Sequence, residues 1–483
     1  MQAAACAGLP ATTPSDRAKM IDLDKISPPN RCSNYLLIVR LDNARAIASV
    51  YGGDAVTAAV AHLEEGIAAS LNPARICGID GDEITVLAHA ALLDADFVST
   101  QVDALCRALC LSPVQHGGNR ILLSVSVGYS DPVPGMLPED RSEACLAARK
   151  RLEAACSPGA GPMPSTVQGQ ARYRDDMTRA VRFIDQFSGG ETFFAWRPVF
   201  HSRDPDLVLQ HEALLRVSGP QGEQVDCSAA YAALERLGFV HLLDRALALR
   251  VLEELESDPR AALSIAISPQ SLSFALGGPD AAWTEFLDRI EHRPADAARL
   301  TLEFHESAGC RFWPDTLTFL NTLRELGVRF AISGFGGGHA ATRQLAVLRP
   351  DAVKLDSAFL RTATLSDRNR ARIGHLIGEA KTLCSTVILS GAETPAQIRL
   401  AVEEGAEWLA GARQGRAGIP RNRPSQRREG LAAGPGSRAA VFAPVLPTPT
   451  PFSPAPFSTG RRDRARCSEP AHTTFRAGAP DGP

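Results

Sequence analysis

From Glu191 to about Pro420 the sequence repeats one unit, a short apolar run followed by a stretch with helical spacing. "LTLEFHES" precedes "PDTLTFLNTLRELG", and "VRFAIS" precedes "ATRQLAVL". "DAVKLD" precedes "RNRARIGHLIGEAKTLC", and "TVILSG" precedes "PAQIRLAVEEGA". Strand–helix alternation this regular predicts a parallel sheet, open or closed into a barrel. In a closed barrel the functional groups stand at the C-terminal ends of the strands. Here those ends carry Glu303, Ser333 with Gly334, Lys354 with Asp356, and Ser390 with Glu393. Acids and a lysine at successive strand ends are what a two-metal phosphoesterase needs. The strand-end positions Ser333 and Ser390, however, carry no charge.

The 483 residues allow two to four domains, at roughly 150 residues each. Residues 1–33 are polar and proline-spotted and are expected to be disordered. Residues 34–156 read as a separate α/β unit. It has a strand in "YLLIVRL", a helix in "DAVTAAVAHLEEGIAASL", a hairpin around Asp80-Gly81 and a further strand in "RILLSVSVGYS". Residues 157–175 form a Pro/Gly/Ser-rich linker, and residues 176–420 the barrel. Residues 421–483, rich in Pro, Arg and Ala and without periodicity, are a disordered tail.

The net charge of −3 points to neither a nucleic-acid nor a membrane partner. No apolar run reaches the ~20 residues that span a bilayer, and "MQAAACAGLPATTPSDRAK" lacks the parts of a secretory signal. The eleven cysteines include no C-x-x-C pair, and Cys106 and Cys110, one turn apart, suit a buried helix face. A cytoplasmic location with reduced thiols is the expectation.

The phrase "HEALLRV" is followed, in order and spacing, by "LEFHES", "GFGGG", "VKLDSAFL" and "GAET". On these motifs residues 191–420 resemble an EAL domain, the family that hydrolyses the bacterial second messenger cyclic di-GMP on a TIM-like (β/α)8 barrel. The preceding unit resembles a GGDEF domain, the diguanylate cyclase module, on the weaker marks "VRLDNARAIASVYGG" and "IDGDEITVL". The fold class implied is α/β, with an N-terminal GGDEF-like domain followed by an EAL-type barrel.

The family uses Mg²⁺ or Mn²⁺, and its ligand set carries over only in part. The glutamate of the name-giving motif survives as Glu212, the next acid as Glu303, and a late glutamate as Glu393. The family lysine that positions the attacking water is kept as Lys354. Ala266 stands for an asparagine, Ser333 and Gly334 for the adjacent aspartates that bridge the metals, Ser390 for the base, and Ala410 for a glutamine. The resemblance therefore implies a vestigial metal set (Glu212, Glu303, Glu393), a vestigial catalytic set (Glu212, Lys354, Glu393), and no cofactor. The glycine burst after Ser333 lacks the Gly-Lys-Ser/Thr ending of a phosphate loop, and His339 breaks the G-x-G-x-x-G spacing. In the GGDEF-like unit Arg40 stands where a cyclase holds its metal aspartate, and Ala48 where an asparagine reads guanine. The signature loop runs Asp80-Gly81-Asp82-Glu83-Ile84, and no Arg-x-x-Asp site falls at Leu71 to Ala74.

Structural readings stand beside these. Glu212 is either a vestigial ligand or a mouth acid paired with Arg216. Lys354, as a buried lysine, needs a carboxylate, with Asp356 and Glu393 the candidates. His305, replacing a family threonine, reads as a packing residue, Glu306 as structural and His339 as solvated, while Phe194 and Trp196 read as core. Arg197 replaces a family glutamine, and Arg216 matches an arginine that contacts a ligand phosphate. Two guanidinium groups can bind an anionic dinucleotide without metal; alternatively Arg197 pairs with the carboxylates that the metals have left. The expectation is a catalytically inactive GGDEF–EAL tandem that acts as a regulatory module. Its partner is either cyclic di-GMP or a signalling protein, and a homodimer stays open. A nucleotide-independent scaffold and a live phosphodiesterase with substitute ligands are the alternatives.

Overall fold

The computed structural model describes residues 33–71, 74–89, 93, 98–134, 138–155, 163–219, 221–272, 281–305, 314–337 and 347–411. The segment before Ser33, the tail, Glu306 and the loop holding His339 lie outside the described residues.

The N-terminal unit is built on β1 (Ser33–Leu41), β2 (Ala74–Asp80) and β3 (Glu83–His89). A small ribbon follows, of β4 (Val114–His116) and β5 (Asn119–Ile121), then β6 (Val125–Tyr129) and β7 (Val133–Pro134). The main sheet runs β2-β3-β1-β6, with β7 on the start of β1, and every pairing is antiparallel. The apolar run of β1 is unbroken because both its faces are covered. Leu37, Val39 and Leu41 join the main core with Leu63 and Ile67 of α2 (Gly53–Ser70). Leu36 packs on Ala144, and Ile38 on Ala148 and Leu152, all on α4 (Pro138–Ala155). The hairpin between β2 and β3 turns on two residues, Gly81 and Asp82, with the left-handed φ of 63° falling on the glycine.

A helix, α5 (Val167–Ser188), leads into the second unit. It starts inside the stretch that reads as linker because Thr166 caps it, its hydroxyl accepting from the Gly169 amide at 3.0 Å. Its buried stripe of Met177, Ala180, Val181 and Ile184 supplies the packing that such a helix needs.

The second unit is a closed eight-stranded barrel. Its strands are β8 (Thr192–His201), β9 (Val208–Ser218), β11 (Leu263–Ala266), β12 (Leu300–His305), β13 (Arg329–Phe335), β14 (Ala352–Leu355), β15 (Thr386–Ser390) and β16 (Trp408–Ala410). The ring closes because β8 pairs with both β9 and β16, while the short β10 (Gln224–Asp226) adds to β9 as a hairpin outside it. An all-parallel (β/α)8 ring needs correction at one strand. β8 runs antiparallel to both neighbours. Residues 202–207 are too few for a helical crossover, so the chain turns back as a hairpin instead.

Period-2 alternation decides what points inward. Val199, Ala331, Ala352, Ile388 and Ala410 form a small plug inside the barrel. The outward residues Leu302, Phe304, Phe330, Ile332, Val353, Leu355 and Leu389 are buried in the main core. Two residues beyond the plug along each strand stand Ser333, Lys354 and Ser390. On β8, which runs the other way, the matching step back from Val199 reaches Arg197. The register Arg197↔Glu212 places these last two side by side. The layer above the plug is where polar side chains gather.

Candidate functional site

A cavity of about 410 Å³ opens above the plug at the C-terminal ends of the parallel strands. Its lining includes Arg197, Glu212, Glu303, Lys354, Arg361 and Glu393. At its base three charges are all but sealed from solvent, with Glu212 3%, Glu303 5% and Lys354 7% exposed. The Lys354 ammonium donates to Glu303 Oε2 at 2.9 Å and is ion-paired with Glu212 Oε1. Arg197 Nε donates to the other Glu212 oxygen, Oε2. Burial alone would push the Glu212 carboxyl up, but the Lys354 ammonium and then the Arg197 guanidinium outweigh it and hold the group below the usual carboxylate range. Burial likewise disfavours the Lys354 ammonium, and Glu212 and Glu303 reverse that, holding its pKa above the ordinary lysine value.

These pairings differ from the sequence readings. Lys354 takes Glu212 and Glu303 as partners, neither Asp356 nor Glu393. In a barrel, inward residues of alternate strands share a layer, and β9, β12 and β14 alternate around the ring, whereas Asp356 lies beyond the end of β14. There it caps the helix Ser357–Ala363, its Oδ1 accepting from the Ala358 amide at 2.7 Å. Glu212 is paired with Arg197 in place of Arg216. Arg216 lies four residues further along β9, opposite Asp226 of β10, and its Nη1 meets Asp226 Oδ2 at 2.7 Å and the Leu215 carbonyl at 2.9 Å. It is not among the residues lining the cavity. Glu393 lines the mouth from an exposed position after β15.

His305 is exposed and lines the cavity rather than packing in the core. Gly334 explains its position. The glycine has a φ of 72°, and a Cβ built on it would stand 2.5 Å from His305 Nε2. The imidazole fills the space that a side chain at position 334 would need. Phe194 and Trp196 are buried, with ring centroids 5.4 Å apart.

Sequence reading missed Arg361. It lies on the helix after β14, which an inspection of strand ends skips, and it lines the cavity with its Nη1 donating to Ser357 Oγ at 2.6 Å. The usable signal was Asp356: an N-cap at a strand end starts a helix at the mouth, and helical side chains lean back toward that start.

Mg²⁺ and Mn²⁺ are hard cations that want several oxygen ligands. The residues present do not fit them. Ala266, Ser333 and Gly334 bring no carboxylate, and an ammonium already joins Glu212 to Glu303. Among the described residues no three His, Cys, Asp or Glu side chains converge as a metal site.

The N-terminal unit holds a similar charge cluster. Arg40 Nε contacts Asp42 Oδ1 at 3.0 Å, and Ser126 Oγ donates to Asp42 Oδ2 at 2.5 Å. Arg149 pairs with Glu83 at 2.9 Å, and Glu83 is the cross-strand neighbour of Arg40. Burial pushes the Asp42 carboxyl up against the opposing pull of Ser126 and Arg40. Among the described residues six cysteines, including Cys106 and Cys110, are free thiols. No helix among those residues is long and apolar enough to cross a membrane.

Comparison with known proteins adds the following. The family profile described as "EAL domain" matches residues 180–417. The chain is 24% identical over 391 residues to the cyclic di-GMP phosphodiesterase NbdA of Pseudomonas aeruginosa, covering 78% of this chain and 48% of NbdA. It is 23% identical over 398 residues to the bifunctional diguanylate cyclase/cyclic di-GMP phosphodiesterase MucR of the same organism, covering 79% of this chain and 55% of MucR. The chain spans about half the length of these relatives. Among solved structures, the Vibrio cholerae LapD S helix-GGDEF-EAL fragment (apo) is 18% identical, with 79% of this chain and 89% of that one covered and a TM-score of 0.42.

Proposed function

With residues 180–417 an EAL domain, we propose that the chain is a catalytically inactive regulator in cyclic di-GMP signalling whose barrel mouth receives the dinucleotide without metal. One observation carries this reading: Lys354 and Arg197 neutralise Glu212 and Glu303 at the base of the cavity. Two protein cations thus take the electrostatic place of the divalent ions. Both carboxylates are ion-paired, the lysine that the resemblance makes the water-positioning group is engaged, and no side chain at 333, 334 or 390 supplies a bridge or a base. Losing a single group that acts in the transition state costs ~10²–10³ in rate, and here several are missing together. The N-terminal unit is proposed to be a vestigial cyclase-like domain, with Arg40 excluding a divalent cation by charge.

The test is incubation of the purified chain with cyclic di-GMP and Mg²⁺ or Mn²⁺. The dinucleotide is expected to stay intact, and linear product at more than about 0.1 s⁻¹, well below ordinary enzyme turnover, overturns the reading. A second reading, a nucleotide-independent scaffold, is favoured by the acids Asp356 and Glu393 at the mouth, which repel an anion. Calorimetric titration with cyclic di-GMP in metal-free buffer separates the two, because a scaffold gives no binding heat.

A further inference from the structure

We infer that Arg361, rather than Arg216, is the residue through which the barrel mouth grips a phosphodiester anion. The inference rests on the reading above that the mouth receives an anionic dinucleotide. Among the described residues three cationic side chains line the cavity, Arg197, Lys354 and Arg361. Lys354 is committed to two buried carboxylates and Arg197 to one of them. Their charge is consumed in offsetting acids that cannot be left bare in a buried site.

Arg361 is different. Its partner is the Ser357 hydroxyl, which brings no countercharge, and among the described residues it forms no ion pair. That bond to a residue one turn earlier holds the guanidinium back toward the start of its helix, which is the cavity side. The nearest acid in sequence, Asp356, is occupied in capping that helix. An exposed guanidinium with spare N–H groups beside a walled cavity suits the planar, two-oxygen face of a phosphodiester. Arg216 lacks these features, since it is ion-paired with Asp226 and does not line the cavity. The acids that line the mouth with it, Glu393 and Asp356, keep the affinity modest and salt-sensitive.

The experiment is calorimetric titration of the full chain with cyclic di-GMP in metal-free buffer, for wild type, Arg361→Ala, Arg361→Lys and Arg216→Ala. Arg361→Ala is expected to weaken binding about 10-fold or more, the worth of a hydrogen bond to a charged group. Arg361→Lys should restore part of the loss, since it returns the charge without the fork. Arg216→Ala should change the affinity less than Arg361→Ala does. A wild type that binds while Arg361→Ala binds equally well overturns this inference and leaves the proposed function standing. A wild type that shows no binding overturns both. Because Arg361 is exposed, its removal leaves the fold intact, and an unchanged melting curve confirms that a loss of binding is local.

Discussion

Both halves of the molecule set arginine or lysine against carboxylates at the positions where their family resemblances place a divalent cation. They differ in depth. In the barrel the charges lie on inward strand positions, with Lys354 and its two glutamates nearly inaccessible. In the N-terminal sheet the Arg40 and Arg149 side chains are 25% and 53% exposed, against Asp42 at 12% and Glu83 at 17%. A protein cation set against carboxylates therefore has two physical meanings. In the barrel it has become part of the fold, because a buried carboxylate needs its partner. In the sheet the carboxylates are only partly buried and both arginines reach solvent, so water can replace either guanidinium.

Unfolding energetics sharpen this contrast most directly. Lys354→Met should destabilise the barrel by about 3–5 kcal/mol, the cost of breaking a buried pair and leaving its charge bare. Adding Glu212→Gln and Glu303→Gln to the same protein should recover much of that loss. Urea denaturation of the three proteins is the measurement. A Lys354→Met loss under about 1 kcal/mol, the range of a surface pair, would mean that depth does not separate the two clusters.

Next in size is Gly334→Ala. A left-handed φ on a residue with a Cβ costs about 1–3 kcal/mol, and His305 stands in the way of that Cβ as well. The added substitution His305→Ala should return the steric part of the loss and leave the backbone part. An aspartate cannot be placed at position 334 without moving His305, so Ser333→Asp with Gly334→Asp is expected to give no hydrolysis of cyclic di-GMP. Product from that double variant would show that His305 gives way to an aspartate at position 334 and that the proposed inactivity rests on those two positions.

The pH dependence of stability follows from the same pairs. Glu212 is held below its ordinary 4.5, so its contribution is complete above that value and is lost as pH falls through the folded pKa. Lys354 is held above its ordinary 10.5, so its contribution is complete below that value and is lost as pH rises through the folded pKa. Stability curves of wild type and Glu212→Gln should accordingly converge on the acid side and separate toward neutrality. Parallel curves from pH 2 to 7 would mean that Glu212 does not titrate as a buried paired acid.

How much of this could be read in advance depended on the element. The repeated strand–helix units after Glu191 announced the barrel, and the acids at strand ends announced the cavity, because alternation forces alternate residues inward. The antiparallel course of β8 was hidden, since a strand pattern carries no direction and only the short link at residues 202–207 distinguishes a hairpin from a crossover. Pairings were equally hidden. Sequence proximity suggested Asp356 for Lys354 and Arg216 for Glu212, whereas strand register across the ring brought Glu303 and Arg197 instead. Asp226 could not be foreseen beside Arg216 without β10, a strand of three residues. Arg361 escaped because its position depends on a helix cap and not on strand periodicity.

The smallest effect is expected at Arg40. Its pair with Asp42 is partly exposed, and Asp42 keeps the Ser126 hydroxyl when the guanidinium is removed. Arg40→Ala should therefore cost no more than about 1 kcal/mol, as should Arg149→Ala. Burial already pushes the Asp42 carboxyl up while Ser126 and Arg40 draw it down. Removing Arg40 should move it further up, which NMR titration of the carboxyl can follow. Arg40→Asp is not expected to bring synthesis from GTP, since Ala48 remains where the cyclase resemblance places an asparagine that reads guanine. It also sets an acid against Asp42, just past the end of its strand, and Glu83 on the neighbouring one. Assayed with GTP and Mg²⁺, neither wild type nor Arg40→Asp should make cyclic di-GMP. An Arg40→Ala penalty above about 2 kcal/mol, beyond the range of exposed pairs, would put the sheet on the same footing as the barrel and dissolve the difference between them.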